Sequence, residues 1–204
     1  MEKMLNFKDY NEYKDGYLTI FDIDDTLFHT TAEIIIRSHG AATKRLTSAE
    51  YNTYKIQPGE TADFSEFADS NLFYNESKPI KAMFDKAKAI LADTKNHPNN
   101  KVIIVTARPD FDDRDKFLAT FKKYGFDIDN VRVERAGKLN AASPGQAKAI
   151  IINNYLNTKQ FNKVRLFDDS INNLTEFLKL EKLFPAVKFK AWHAHIDGTV
   201  NEIK

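Results

Sequence analysis

Three aspartates fall within four residues in Phe21-Asp-Ile-Asp-Asp-Thr26, directly after the apolar run Tyr17-Leu-Thr-Ile-Phe21. Asp22 and Asp24 stand two apart at a strand end, so their side chains can point the same way. Carboxylates brought together repel unless one holds a proton or a cation lies between them. A solvated acidic turn is the plain alternative, and it suits one aspartate better than three. A second acid pair, Asp168-Asp169, closes another apolar run. One of its members can cap the next helix while the other faces a cleft. Val105-Thr-Ala-Arg108 offers a hydroxyl, backbone N–H groups and a guanidinium, a set that can cradle an anion. Taken alone, Arg108 reads as a solvated loop residue. Lys148 falls in the first turn of a helix, where its charge opposes the helix dipole at roughly 0.3–1 kcal/mol when exposed. A bound anion or a neighbouring carboxylate would offset that cost. Lys138 is the competing lysine. A hard divalent cation held by aspartates, facing a phosphate held by Thr, amides and Lys, accounts for all four features at once.

Four Ile- and Val-rich runs predict the strands that end in these residues: Leu18–Asp22, Lys101–Thr106, Asn130–Glu134 and Lys163–Asp168. A fifth, Val187–His195, alternates more. Helical spacing of apolar residues predicts helices over Lys78–Thr94 and Arg114–Tyr124, the latter stopped by Gly125. Ser143, with Pro144 and Gln146 after it, and Ser170, before Ile171, Leu174, Phe177 and Leu178, are predicted helix caps. Strand and helix alternate for most of the chain, which predicts a doubly wound, mainly parallel α/β sheet. Ligands in such sheets bind outside the carboxyl ends of the strands.

Residues 28–77 interrupt the alternation. Ala32–Arg37 and Ala42–Leu46 flank Ser38-His-Gly40 and predict a β-hairpin. Thr47-Ser-Ala-Glu50 predicts a capping box, and Gln57-Pro-Gly59 a turn. This segment is expected to form a flap and small cap within one domain spanning residues 1–204, too small for a hydrophobic core of its own. Phe64, Phe67, Phe73 and Tyr74 are expected to anchor it, with stacking on a ligand ring as the alternative.

The 204 residues, 42% of them apolar, can build a substantial core, and 30 Lys and Arg against 29 Asp and Glu give no general pull toward polyanions. With no cysteine, disulfides, thiolate metal sites and a thiol nucleophile are excluded. The charged N-terminus and the lack of a long apolar segment lead to the expectation of a cytoplasmic protein with no membrane partner. His193 and His195 can share a metal, but no third ligand has suitable spacing. A half-exposed edge strand accounts for them, with Trp192 packed inward.

The order and spacing of these features resemble the haloacid dehalogenase (HAD) superfamily, over roughly residues 17–174. Phe21-Asp-Ile-Asp-Asp-Thr26 matches its first motif, Asp-x-Asp-x-Thr. Val105-Thr-Ala-Arg108 is similar to the second, Lys148 stands for the third, and Leu166-Phe-Asp-Asp169 is similar to the fourth. The resemblance implies a Rossmann-like core with a flap after the first strand and a Mg2+-dependent phosphatase that forms an aspartyl-phosphate. Asp22 would be the nucleophile and Asp24 the general acid and base. Mg2+ would sit on Asp22, the Asp24 backbone carbonyl and Asp168, with Asp169 an outer or alternate ligand. Thr106 and Lys148 would hold the phosphoryl oxygens, helped by the amides of Ile23 and Ala107. The dehalogenase branch lacks the second acid, so Asp24 points to phosphoryl transfer. Asp25 stands where many members have Gly. The expected substrate is a small phosphorylated compound, with a nucleotide or a polynucleotide end as the finer guess. A catalytically idle HAD-fold binding protein and a phosphotransferase or phosphomutase are the alternatives.

Overall fold

The computed structural model describes residues 13–204, so the charged N-terminal stretch lies outside the described residues up to position 12. Its centre is a six-stranded sheet in the order β11-β10-β9-β1-β7-β8. These strands are β1 (Tyr17–Phe21), β7 (Lys101–Thr106), β8 (Arg132–Arg135), β9 (Lys163–Asp168), β10 (Lys188–Ala194) and β11 (Val200–Glu202). All neighbours run parallel except β10 and β11. This is a mixed α/β fold with a mostly parallel central sheet. The inner strands β1 and β7 are nearly all apolar because the sheet is covered on both faces there, whereas β8, β10 and β11 carry exposed polar residues. Phe21, Ile104 and Phe167 belong to one core, under the helices Lys81–Asp93 and Arg114–Lys123. Leu18, Ile20, Ile103, Val164 and Leu166 belong to the other, under Pro144–Asn157 and Ile171–Lys179.

The strand order brings the chemistry together. In register, Phe21 lies beside Ile104 on one side and Phe167 on the other. The residues that follow or end these three neighbouring strands are Asp22, Thr106 and Asp168. Helix caps fix the next turns: Ser143 accepts the N–H of Gln146, and Ser170 accepts that of Asn173. Several boundaries differ from those predicted. Ile128–Asn130 forms a 3-10 turn, so β8 starts at Arg132. Lys78–Pro79 forms strand β6, so the next helix starts at Lys81.

Residues 28–77 make a separate layer. Strand β2 (Phe28–His29) pairs antiparallel with β6 at its base. Above it, β3 (Ile34–Ser38) pairs with β4 (Ala41–Leu46) around His39-Gly40, both at positive φ (49° and 82°), as a two-residue hairpin turn requires. A further strand, β5 (Glu60–Asp63), pairs with the other edge of β3. Its sequence, Glu-Thr-Ala-Asp, carries no apolar alternation and gave no signal. Contrary to expectation, the segment has a hydrophobic cluster of its own. Ala32, Ile34, Ile36 and Phe67 are buried in it, with Leu46, Tyr51, Tyr54, Ala62 and Leu72 packed around them. Three strands cover enough surface to exclude water where a lone hairpin would not. The helix Ser70–Glu76 ties the layer to the core, since Phe73 stacks on Phe117 of the helix Arg114–Lys123 at 5.4 Å. Among the described residues no helix is long and apolar enough to cross a membrane.

Candidate active site at the carboxyl edge of the sheet

Asp22 leaves β1 with its N–H donating to the Phe167 carbonyl at 3.0 Å, which seats its side chain against β9. The Lys148 ammonium lies 2.8 Å from Asp22 Oδ1 and 2.7 Å from Asp168 Oδ2, and all three side chains are buried. Lys148 is the fifth residue of the helix Pro144–Asn157, so it lies one turn deeper than predicted. Two carboxylates there offset its position near the helix start. The other oxygen of Asp168 accepts from the Ser170 N–H at 3.0 Å and from Asn173 Nδ2 at 2.9 Å. Lys138 is elsewhere: it pairs with Asp110 on the surface.

Asp169 joins the group. One carboxylate oxygen from each of Asp22, Asp168 and Asp169 lies within 4.8 Å of the others. Burial pushes Asp22 up to about 7; Asp168 and Asp24 add to the push, and the Lys148 ion pair opposes it without outweighing it. Burial, then the charges of Asp168 and Asp22, push Asp169 up to about 9. Burial works against the Lys148 ammonium, but Asp168 and Asp22 outweigh it and hold its pKa above the usual lysine range. Three ionised carboxylates around one ammonium leave an excess of negative charge that burial makes costly.

Asp24 points a different way. Arg108 grips it through Nη2 to Oδ1 at 2.6 Å and Nε to Oδ2 at 3.0 Å. The guanidinium also donates to Thr30 Oγ1 and to the Phe67 carbonyl, both at 3.0 Å, and lies over the Phe73 ring at 4.5 Å. Arg108 is therefore not the solvated loop residue expected: it is only 2% exposed. Its partners come from residues 24, 30, 67 and 73, and no local pattern in the chain announces that convergence. Thr106 is fully buried, and its hydroxyl accepts the Arg108 N–H at 3.1 Å. Gly137 lies so close to this loop that a Cβ there would fall 2.4 Å from the Ala107 carbonyl oxygen.

Asp25 adopts a left-handed backbone (φ 54°) and donates its N–H to the Phe28 carbonyl. Aspartate is among the few side chains that tolerate this conformation, where glycine is otherwise favoured. Burial, then the Asp24 charge, raises its carboxyl. His193 meets the Asp169 carbonyl at 2.9 Å, His195 meets Asn201 at 3.0 Å, and the two rings touch edge-on at 4.4 Å. His193 lies on β10, which is not an edge because β11 pairs with it, and His195 follows the end of that strand. The Trp192 ring lies parallel to Phe167, at 5.9 Å.

A cavity of about 420 Å³ opens over this centre, with Asp22, Asp24, Ala107, Arg108, Lys148 and Asp169 in its lining. Residues 28–77 supply part of the wall.

The chain is similar in structure to the HAD domain of the effector protein Lem4 from Legionella pneumophila. The TM-score is 0.53 at 15% identity, over 87% of this chain and 85% of that one. The fold is HAD-like. No family model matches the sequence, and no curated protein does.

Proposed function

We propose that this HAD-like chain is a Mg2+-dependent phosphomonoester hydrolase acting through an aspartyl-phosphate on Asp22. The convergence of the Asp22, Asp168 and Asp169 oxygens beside Lys148 carries the reading. A donor set of oxygens alone suits a hard divalent cation, and the upward push on Asp22 and Asp169 marks a place short of positive charge. We assign Asp22, Asp168 and the Asp24 carbonyl as metal ligands, with Asp169 as the further carboxylate. When bound, Mg2+ would supply the charge neutralisation that lets a carboxylate approach an anionic ester.

In the first step an Asp22 oxygen bonds to phosphorus and the bond from phosphorus to the leaving oxygen breaks. That oxygen takes a proton from Asp24. Water then attacks phosphorus and gives its proton to Asp24, the Asp22–phosphorus bond breaks, and inorganic phosphate leaves. Lys148 and the N–H of Ala107 hold the phosphoryl oxygens. Thr106 joins them: its hydroxyl accepts the Arg108 N–H and keeps its own proton to donate. The substrate is a small phosphorylated compound.

A catalytically idle binding protein is the second reading, and the grip of Arg108 on Asp24 favours it. Hydrolysis of p-nitrophenyl phosphate with Mg2+ decides between the two. The parent is expected to turn over and Asp22→Asn to be inert. No turnover by the parent favours the binding reading, and an active Asp22→Asn removes the nucleophile assignment.

A further inference from the structure

Residues 28–77 pack most of their aromatic rings away. Phe67 is buried in the segment's own cluster and Phe73 in the main core. Phe64 is the exception. Its ring meets Tyr51 edge-on at 5.3 Å and Phe67 at 6.4 Å, yet it stays 41% exposed. Phe64, Tyr51, Phe67 and Ile34 line the cavity over the carboxylates, and Pro109 and Leu139 add apolar surface from the core loops. Leu139 is 39% exposed.

Two cationic side chains line this cavity among the described residues, Lys148 and Arg108. Both are engaged, Lys148 with Asp22 and Asp168 and Arg108 with Asp24. A leaving group with a second phosphate would find no unpaired cation there. The lining is mostly apolar, with Ser48, Ser143 and the Tyr51 hydroxyl among its polar groups. Against Phe64, Ile34 and Leu139 a polyol would set hydroxyls on a ring and methyls, where unpartnered polar groups are unfavourable. A flat apolar group would cover the exposed faces of Phe64 and Leu139 and take them out of water.

Resting on the phosphomonoesterase reading, we propose that the wall formed by Phe64, Tyr51 and Leu139 is a leaving-group subsite selective for phosphomonoesters whose leaving group is uncharged and carries a flat apolar ring. Phe64 is its specificity-determining residue. The ring stacks on or meets Phe64 edge-on while the phosphoryl group sits at Asp22 and Lys148.

The test compares benzyl phosphate with glycerol phosphate, two alkyl esters, so that a nitrophenolate-like leaving group does not decide the result. With Mg2+, the parent is expected to show a kcat/KM about tenfold or more higher for benzyl phosphate. Phe64→Ala should erase about that factor, mainly through KM, and leave glycerol phosphate little changed. Phe64→Trp should keep the preference. Benzylphosphonate, which cannot be hydrolysed, should raise the Tm of the parent more than methylphosphonate does, and Phe64→Ala should abolish the difference. Equal kcat/KM for the two esters, or an equal loss for both in Phe64→Ala, overturns the subsite and leaves the phosphatase reading standing. No turnover of any ester overturns the phosphatase reading. In that event a benzylphosphonate shift dependent on Phe64 still supports the subsite, and equal shifts for the two phosphonates overturn it.

Discussion

Arg108 holds Asp24 in a two-pronged ion pair, and the same guanidinium reaches the Phe67 carbonyl and the Thr30 hydroxyl. The proposed acid is thus fixed by a cation that also touches the layer above it. Arg108→Lys keeps the charge and loses the planar fork. If Asp24 protonates the leaving group, the loss should grow with the basicity of that group. We expect a drop of roughly 100-fold for alkyl phosphates, within the range for general acid catalysis, and a much smaller one for p-nitrophenyl phosphate. In an Asp24→Asn background the same substitution should add little. A ladder of esters, read as kcat, checks both statements.

Lys148 is the one ammonium among three carboxylates. Lys148→Met leaves Asp22 and Asp168 buried without their partner, and breaking such a pair typically destabilises by about 3–5 kcal/mol. Urea unfolding without metal should show a loss of this order. Mg2+ should restore part of it, while phosphatase turnover stays at least about 100-fold down because a phosphoryl-oxygen donor is gone.

The acid cluster also predicts how stability follows pH. Asp22 is pushed up to about 7 and Asp169 to about 9, so the folded protein keeps protons that the unfolded chain has already released. Their contribution to stability is complete below the ordinary carboxylate range and is lost as pH rises through 7 and then 9. Metal-free protein should therefore lose Tm between pH 5 and pH 9, by roughly 5–10 °C if a few kcal/mol are involved. The stabilisation by Mg2+ should grow over the same interval. Differential scanning fluorimetry with EDTA and with Mg2+ measures both trends.

Gly137 packs against the Ala107–Arg108 backbone at a distance that excludes a methyl group. Gly137→Ala should displace the loop that carries the Ala107 amide. We expect kcat to fall about tenfold or more, because small displacements of positioning groups are costly. The accompanying loss of about 1–3 kcal/mol is that of an overpacked site, checked by urea unfolding.

The strands that position the acids were legible because each is a short apolar run with a charged end. Lys101–Thr106 and Lys163–Asp168 have the bounds their composition suggests. Ser143 and Ser170 were legible as caps because hydroxyl capping is a local interaction. Arg108 was not, since its burial depends on Phe67, Phe73 and Asp24, all far away in the chain. Strand β5 was not, because its polar residues are ordered by pairing with β3 rather than by their own pattern. At Asp25 the one signal was the glycine that many members of the resembled superfamily carry there; the left-handed torsion that accounts for it is not written in this chain's own letters.

The layer of residues 28–77 enters and leaves through the two facing pairs Phe28–Pro79 and His29–Lys78. The chain therefore closes on itself beneath the layer, as at a graft junction. Another segment spliced between those four residues would meet a scaffold whose carboxylates and lysine lie outside the exchanged piece. Such a transplant would still need to bring a hydroxyl and a carbonyl to the places of Thr30 and Phe67, or Arg108 would be left half-partnered. The junction is modular in its backbone and particular in those two atoms.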